Sequence, residues 1–152
     1  MGGSMRVSTR VEYGVQALAY IALYTENGTS VSTPEIAETQ GISKKYLEQI
    51  LPLLRQAGLI RAQKGLGGGY TLARAANGIR IADILNALDS TVLEEMGSSG
   101  EKEGNELKNA IDECLWGRIN RLLGGFADEN TLADLLRECR NRMANEYDMY
   151  VI

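Results

Sequence analysis

The order of short elements between residues 32 and 73 constrains the fold of this chain more than any other feature of its sequence. Ser32 offers a hydroxyl cap, Pro34 stands where its missing N–H donor is harmless, and Glu35 follows the cap by three residues. Together they predict the start of a helix, and Gly41 predicts the tight turn that ends it. Ser43 then predicts a second helix start. The apolar residues that this second helix would bury are Leu47, Ile50, Leu51 and Leu54.

A hairpin is predicted directly after the second helix. Gly58 closes that helix, and Pro52 inside it is expected to kink or divide it because proline lacks a backbone donor. Two β-like runs follow, at Leu59–Gln63 and Tyr70–Ala73, joined by the glycine-rich residues 64–69. Helix, glycine turn, helix and hairpin is the order of a winged helix-turn-helix, so we expect a mainly α fold with a small β-hairpin wing.

Further helices are predicted on both sides of this unit. Apolar residues recur at helical spacing from Ser8 to Tyr24, and Gly28 ends that segment. Val31 is expected to pair briefly as a strand. Another helix is marked by Ile81, Ile84, Leu85 and Leu88. Thr131 caps a last helix, whose inner face is expected to hold Leu132, Leu135, Leu136, Cys139 and Met143.

The C-terminal half contains a long amphipathic helix. Residues 90–105 are polar and contain glycine, so we expect a mobile segment before it. Apolar residues then recur every three or four positions over about five turns, to an expected end at Gly124-Gly125. They are Leu107, Ile111, Leu115, Ile119, Leu122 and Phe126. This stripe exposes too much apolar surface for one chain of 152 residues and favours a homodimer. The alternative is a helix packed on its own domain.

The composition argues against an enzyme. There is no histidine, which removes the usual general base and the commonest transition-metal ligand. Cys114 and Cys139 are the only thiols, and they are too few and too far apart for a zinc site. No apolar run reaches the roughly 18 residues that cross a bilayer and no secretory signal is present, so we expect a cytoplasmic protein. Met1 to Ser4 are interpreted as an artificial extension, with Met5 as the natural start.

Positive charge is concentrated in the N-terminal half, although the chain carries a net charge of −4. Residues 5–78 hold eight Lys and Arg against five Asp and Glu, whereas residues 79–152 hold eight against fifteen. Between Ser43 and Arg74 only Glu48 is acidic, and the bases are Lys44, Lys45, Arg55, Arg61, Lys64 and Arg74. Because phosphate contacts act over about a Debye length, this local excess matters more than the total.

The predicted second helix suits the major groove of DNA. Its positive N-terminal end would carry Lys44 and Lys45 toward phosphates or guanine edges, and Glu48 can accept from a cytosine amino group. The wing glycines allow close approach to a sugar-phosphate strand, with Lys64 at the base of the wing. Taken alone, the three charged residues of the helix are equally consistent with a solvated helix face. The glycine-rich segment taken alone is equally consistent with a flexible turn.

The sequence resembles the winged-helix regulator family that includes IscR, NsrR and CymR. The matching segments are MRVSTRVEYGVQAL, GISKKYLEQILPLLRQAGLI, KGLGGGYTLAR and IRIADILNALD, followed by Trp116 and the run TLADL. The resemblance covers Met5 to Leu136. It implies a homodimeric transcription regulator, a repressor or an activator with repression preferred, on a near-palindromic operator.

The resemblance also implies site residues and a division of the chain. DNA contacts are expected from Ser8, Thr9, Arg10, Ser43, Lys44, Lys45, Tyr46, Glu48, Gln49, Lys64, Gly65, Gly67 and Gly68. The six apolar residues of the long helix are expected at the dimer interface. We therefore divide the chain into a DNA-binding domain at 5–89, a mobile linker at 90–106 and a dimerisation region at 107–152.

One feature of the resembled family is missing. Many of its members hold an iron–sulfur cluster with three cysteines before the dimer helix, whereas residues 90–109 contain none, and Glu113 stands where some members place a histidine ligand. No cofactor is expected at the usual cluster site. An atypical cluster on Cys114, Cys139 and Glu12, a redox-sensitive Cys114, or a metabolite or protein partner stay open as signals. The alternative for Cys114 is a small buried apolar residue.

Two other classes of function compete with a regulator. A winged helix can serve as a protein-interaction module without binding DNA, since fold does not fix function. The cluster of bases between residues 43 and 74 argues against that reading. An enzyme has no support in the sequence beyond thiol chemistry.

Overall fold

Helices dominate the fold, and one two-stranded hairpin interrupts them. The computed structural model describes residues 7–65, 67–97 and 105–151, and leaves the side chains of 147–151 undescribed. The α-helices and strands, in chain order, are α1 Thr9–Tyr24, α2 Thr33–Gln40, α3 Lys44–Gln56, β1 Ile60–Gln63, β2 Gly69–Leu72, α4 Ile81–Leu88, α5 Glu106–Ile111, α6 Gly117–Glu129 and α7 Leu132–Val151. A 3₁₀ turn covers Ala76–Gly78, and a π-helical turn, Asp112–Trp116, joins α5 to α6. Met1 to Ser4 lie outside the described residues.

The first three helices begin at the serines that the sequence predicts. The hydroxyl oxygens of Ser8, Ser32 and Ser43 each accept a hydrogen bond from the backbone N–H three residues later, at 3.1–3.3 Å. These caps satisfy donors that the first helical turn leaves unpaired, at a typical gain of about 1 kcal/mol each. Gly41 ends α2 with φ +66°, a left-handed conformation that glycine adopts without strain.

The core is built around α1, with Leu18 and Ile21 fully buried. Leu132 and Leu136, at the start of α7, belong to the same core cluster although they follow the long helix in sequence. The other large, fully buried residues of this core are Ile36, Ile42, Leu47, Ile50, Leu54, Leu59, Ile60, Ile79, Ile84 and Leu88. Burying such a side chain contributes roughly 1.5–3 kcal/mol, so the helices stay together mainly through this cluster.

The wing is an antiparallel hairpin in which Ile60 lies opposite Leu72 and Gln63 opposite Gly69. Each strand begins within one residue of its predicted start. Val31 pairs with Tyr70 as predicted, through two backbone hydrogen bonds of 3.1 and 2.7 Å. The segment before α2 therefore acts as a one-residue third strand that ties the hairpin to the helices.

A second short backbone pairing joins α4 to the end of the long helix. The Ile81 N–H donates to the Asn130 carbonyl at 2.9 Å, and the Leu132 N–H donates to the Ile79 carbonyl at 2.8 Å. Between them, the Arg80 guanidinium bridges Asp83 at 3.1 Å and Asp128 at 3.3 Å. Partial burial raises the pKa of Asp83, but the hydrogen bonds and charge of Arg80 outweigh it and lower that pKa overall.

The prediction that Pro52 divides the second helix is wrong. α3 runs without interruption from Lys44 to Gln56 with Pro52 inside it. Proline has no N–H to donate to the backbone carbonyl four residues earlier. Because Pro52 is exposed, water can form that hydrogen bond instead. Four buried residues of α3 pack on the core and offset the local cost of proline; they are Leu47, Ile50, Leu51 and Leu54.

Two predictions about the C-terminal helices are also wrong. The long helix passes through Gly124-Gly125 and ends at Glu129, because Ala127 is buried beyond the glycines and packing outweighs their low helix propensity. Met143 is 50% exposed rather than inside α7, since only the first part of that helix meets the core. Among the described residues, no helix has the length and apolar character that crossing a membrane requires.

Gly69 is a sensitive position, because a Cβ placed there would overlap the carbonyl group of Val31. We expect Gly69→Ala to lower the free energy of unfolding by about 1–3 kcal/mol, measured by urea titration, because the hairpin must move away from the segment before α2. Gly78→Ala is the matched control, since its Cβ would meet nothing within 4 Å. An equal effect of both substitutions would contradict the role given to this close approach.

Candidate nucleic-acid interface

The outer face of α3 is polar and free of core contacts. Lys44, Lys45, Glu48 and Gln49 are all exposed, while the opposite face of the helix buries apolar side chains at a spacing of three to four residues. Because Ser43 caps the helix, its side chain lies at the same end as the unpaired N–H groups of the first turn. This end combines donor groups, a positive dipole end and two ammonium groups, which is an arrangement that attracts phosphate.

Tyr46 differs from its neighbours on α3. Its ring is half-buried and packs edge-on against Tyr13 of α1, with ring centroids 5.2 Å apart. This contact fixes the first turn of α3 on α1, so Tyr46 serves at least to hold the helix in place. Further along the helix, Arg55 and Gln56 are exposed and extend the polar face. These two residues are not among the DNA contacts expected from the sequence, although they are exposed like Lys45 at the start of the helix.

The described tip of the wing is exposed and held at one point. Lys64, Gly65 and Gly67 are exposed, Gly68 is half-buried, and Leu66 lies outside the described residues. Gly65 and Gly67 have φ of +107° and +79°, which L side chains rarely adopt. The Ser30 hydroxyl donates to the Gly67 carbonyl at 2.7 Å. Sequence reasoning missed Ser30, because no local pattern connects it with a glycine 37 residues later.

The start of α1 is exposed at all three predicted contact residues, Ser8, Thr9 and Arg10. Thr91 donates two hydrogen bonds to Asp89 at the end of α4, and these lower the pKa of Asp89, with a smaller contribution from the positive charge of Arg10. Arg10 is therefore placed near the end of α4.

The basic residues of this region are all available to a ligand. Each of the six bases between Ser43 and Arg74 is exposed, as is the single acid, Glu48. Two of them are partly engaged: Arg61 donates to the Ala73 carbonyl at 3.3 Å, and Arg74 lies 3.6 Å from Asp83. Lys44, Lys45 and Lys64 provide the most accessible positive charge, because α3 and the wing place them on polar surfaces.

The long helix exposes an apolar stripe in the single chain. Leu107, Leu122 and Phe126 are 71%, 73% and 60% exposed, and Ile111 and Leu115 are also exposed. Ile119 is half-buried, so five of the six predicted interface residues face outward from this protomer. An exposed row of this kind on one helix marks a surface for association.

The two cysteines lie on different helical segments. Cys114 lies exposed on the π-helical turn, so the alternative of a buried apolar residue is wrong within one protomer, and Cys139 is half-buried on α7. Across the residues that the structure describes, no three His, Cys, Asp or Glu side chains come close enough to hold a metal ion. Iron–sulfur clusters are held mainly by cysteine thiolates, and one protomer supplies two of them.

Comparison with known proteins decides the family. The Rrf2 family, described as iron-dependent transcriptional regulators, matches residues 7–138. The chain belongs to the Rrf2 family. The transcriptional regulator IscR of Cereibacter sphaeroides is 36% identical over 137 residues, which cover 88% of each chain.

Solved structures agree with this assignment. CymR of B. subtilis, its global cysteine regulator, matches with a TM-score of 0.74 and 31% identity over 88% of this chain and 97% of that one. IscR of T. potens matches with a TM-score of 0.69 and 34% identity over 88% of both chains. The winged-helix fold predicted from the sequence is thus confirmed. This Rrf2 protein is a DNA-binding transcription regulator and not an enzyme.

Proposed function

We propose that this Rrf2 protein acts as a homodimer that binds a near-palindromic DNA site and represses transcription there. The observation that carries the proposal is the pairing of two features in one chain: a basic recognition helix with an exposed wing, and an exposed apolar stripe on the long helix. A two-fold dimer presents two recognition helices, which matches a palindromic site. A dimer that covers promoter DNA excludes polymerase without any further contact.

The stripe is complementary to itself when two copies meet in antiparallel orientation. With a two-fold axis between Trp116 and Gly117, Leu107 of one copy lies opposite Phe126 of the other, and Ile111 lies opposite Leu122. Large apolar residues then meet toward both ends of the helix, while near the axis Leu115 lies opposite Arg118 and Ile119 opposite Cys114. The same surface serves both copies, as an isologous interface requires.

Charges beside the stripe favour the same orientation. The first half of the long helix carries Asp112 and Glu113, and the second half carries Arg118 and Arg121. Antiparallel pairing places Asp112 of one copy opposite Arg121 of the other, whereas parallel pairing would place each charged residue opposite its own copy. Such complementarity fixes orientation more than it adds affinity.

Leu122→Asp tests the proposed dimer. We expect this variant to sediment with the mass of one 16.6 kDa chain, whereas the unmodified protein sediments as two, because a buried unpaired carboxylate is strongly unfavourable in an apolar interface. Met143→Asp is the matched control, since Met143 is also an exposed apolar residue but lies on α7, away from the stripe. A dimeric Leu122→Asp protein would contradict the proposed interface.

Recognition of the DNA is proposed to divide between α3 and the wing. Glu48, in the second turn of α3, is placed to read a cytosine amino group, and Lys64 to contact a phosphate. The exposed carboxylate of Glu48 would repel a phosphate, so Glu48 is unsuited to contact the DNA backbone. Recognition of a base accounts for the presence of an acidic residue on this otherwise basic face.

Two substitutions separate these roles. DNA sites are first selected with the unmodified protein from a randomised duplex pool, and fluorescence anisotropy then measures affinity for a selected and a scrambled duplex at several salt concentrations. We expect Glu48→Ala to reduce discrimination at one base pair by about 1–3 kcal/mol. Lys64→Ala should weaken both duplexes alike and reduce the salt slope by about 1. Equal losses on both duplexes after Glu48→Ala would remove its reading role.

We further propose that the usual iron–sulfur cluster of this family is absent from the active regulator. Two cysteines and no histidine supply too few soft ligands, and the exposed Glu12 on α1 adds only a hard oxygen donor. The signal that controls DNA binding then acts through a thiol, a metabolite or a protein partner.

An absorption spectrum of protein purified without oxygen tests this proposal. We expect no band between roughly 300 and 700 nm, where sulfur-to-iron charge transfer absorbs. Protein to which iron and sulfide have been added under reducing conditions is the comparison sample, and it should lose both on desalting. Visible bands that persist through desalting and bleach with a reductant would show that a cluster is bound, and would direct attention to Cys114, Cys139 and Glu12.

A further inference from the structure

The apolar stripe of the long helix does not have the period of an α-helix. Its six residues, from Leu107 to Phe126, span 19 residues in five turns, whereas five α-helical turns take 18 residues at 3.6 residues per turn. In an uninterrupted α-helix, Phe126 would be rotated about 100° away from the line of Leu107. Half of the stripe would then leave the face that meets a partner.

The π-helical turn, Asp112–Trp116, supplies the missing residue. The Gly117 N–H donates to the Asp112 carbonyl five residues earlier, in place of the usual bond four residues earlier. A single turn of this kind accommodates one extra residue in an α-helix. The stripe before the turn and the stripe after it are thereby brought onto one line.

Gly117 is the residue that this turn requires. A Cβ at position 117 would lie 2.9 Å from the Asp112 carbonyl oxygen, the acceptor of the π-type hydrogen bond. That oxygen belongs to the backbone and cannot rotate away as a side chain can. The glycines at 124 and 125 in the same helix have no such neighbour, because a Cβ there would meet nothing within 4 Å.

The inner face of the long helix depends on the same turn. The Asn120 side chain accepts from the Met96 N–H at 2.9 Å and donates to the Met96 carbonyl at 3.0 Å. Gly97 lies against Trp116, where a Cβ would be only 2.6–2.8 Å from that side chain. The long helix also packs on α4 and is joined to it by the backbone pairing at residues 130–132, so its rotation is set on its own protomer. The outer stripe is therefore aligned within the helix.

We propose that the π-helical turn sets the register of the surface that receives a second copy of this chain, and that Gly117 is its positioning residue. The inference rests on the proposed homodimer and adds a specific requirement to it. The turn adjoins the proposed two-fold axis between Trp116 and Gly117, so both copies place it at the centre of the interface. Loss of the turn would misalign one half of each stripe with respect to the other.

Gly117→Ala tests the proposal, with Gly124→Ala as the matched control in the same helix. Analytical ultracentrifugation of dilution series gives the dimer dissociation constant. We expect Gly117→Ala to weaken self-association about tenfold, the scale of a local overpacking change, and Gly124→Ala to leave it unchanged. Because a Cβ at position 117 overlaps a backbone oxygen, Gly117→Ala is also expected to lower the thermal midpoint, so dissociation constants are compared at a temperature where both proteins are fully folded. A lower midpoint without weaker self-association would indicate a purely structural role and would contradict the proposal.

Deletion of Glu113 provides a second variant that does not depend on alanine being too large. It removes the extra residue, so α5 and α6 can become one regular helix in which the stripe spans 18 residues, or five α-helical turns, and stays on one line. We expect the deletion variant to dimerise, with helical content retained in circular dichroism, and we expect Gly117→Ala to have no further effect on dimerisation in that background because the π-helical turn is gone. Glu113→Gln, which keeps the chain length, should dimerise normally.

The outcomes separate the two proposals. A monomeric unmodified protein would overturn the homodimer itself. A dimeric unmodified protein together with a Gly117→Ala variant that dimerises equally well, or a Gly117→Ala defect that deletion of Glu113 does not relieve, would overturn the role of the π-helical turn alone. If the deletion variant does not fold, the result with Gly117→Ala decides.

Discussion

The short pairing between residues 79–81 and residues 130–132 is the constraint on which the rest of the structure depends. Two backbone hydrogen bonds and the Arg80 guanidinium join the start of α4 to the end of α6. α4 packs on α1 and α3, so the pairing connects the proposed recognition helix with the helix that carries the apolar stripe. Buried Ile79 and Leu132 shield it from water, which strengthens its hydrogen bonds.

Local signals were sufficient to predict most of the helices. Serine caps and left-handed glycines act within a few residues, so Ser32, Ser43 and Gly41 could be interpreted without knowledge of the fold. Pro52 and Gly124-Gly125 were misread for the complementary reason. Their local preferences are outweighed by packing between distant segments, and that packing is visible only in the folded chain.

Part of the candidate interface was predictable from the sequence. The predictable residues depend on local sequence, whereas the others depend on contacts between distant segments. Charged side chains such as that of Lys44 are normally exposed to solvent, so their position on the protein surface can be predicted from the sequence alone. The wing depends instead on Ser30 and on the approach of Gly69 to Val31, which involve residues far apart in sequence. The π-helical turn was predictable only in part. Its cause, a stripe of 19 residues in five turns, is present in the sequence, but its position is visible only in the structure.

A dimeric regulator needs its two recognition helices at a fixed separation, since half-sites on DNA repeat with the helical turn of the duplex. In the proposed dimer, that separation follows from a series of connections within each copy: Tyr46 on Tyr13, the core around α1, the pairing at Arg80 and the long helix. Each connection is made by close packing or paired backbone groups, so none can take up a change of register elsewhere. A slip of one residue moves a helix face by about 100° and 1.5 Å. A single residue in the long helix can therefore determine whether two correctly folded copies fit the same DNA site.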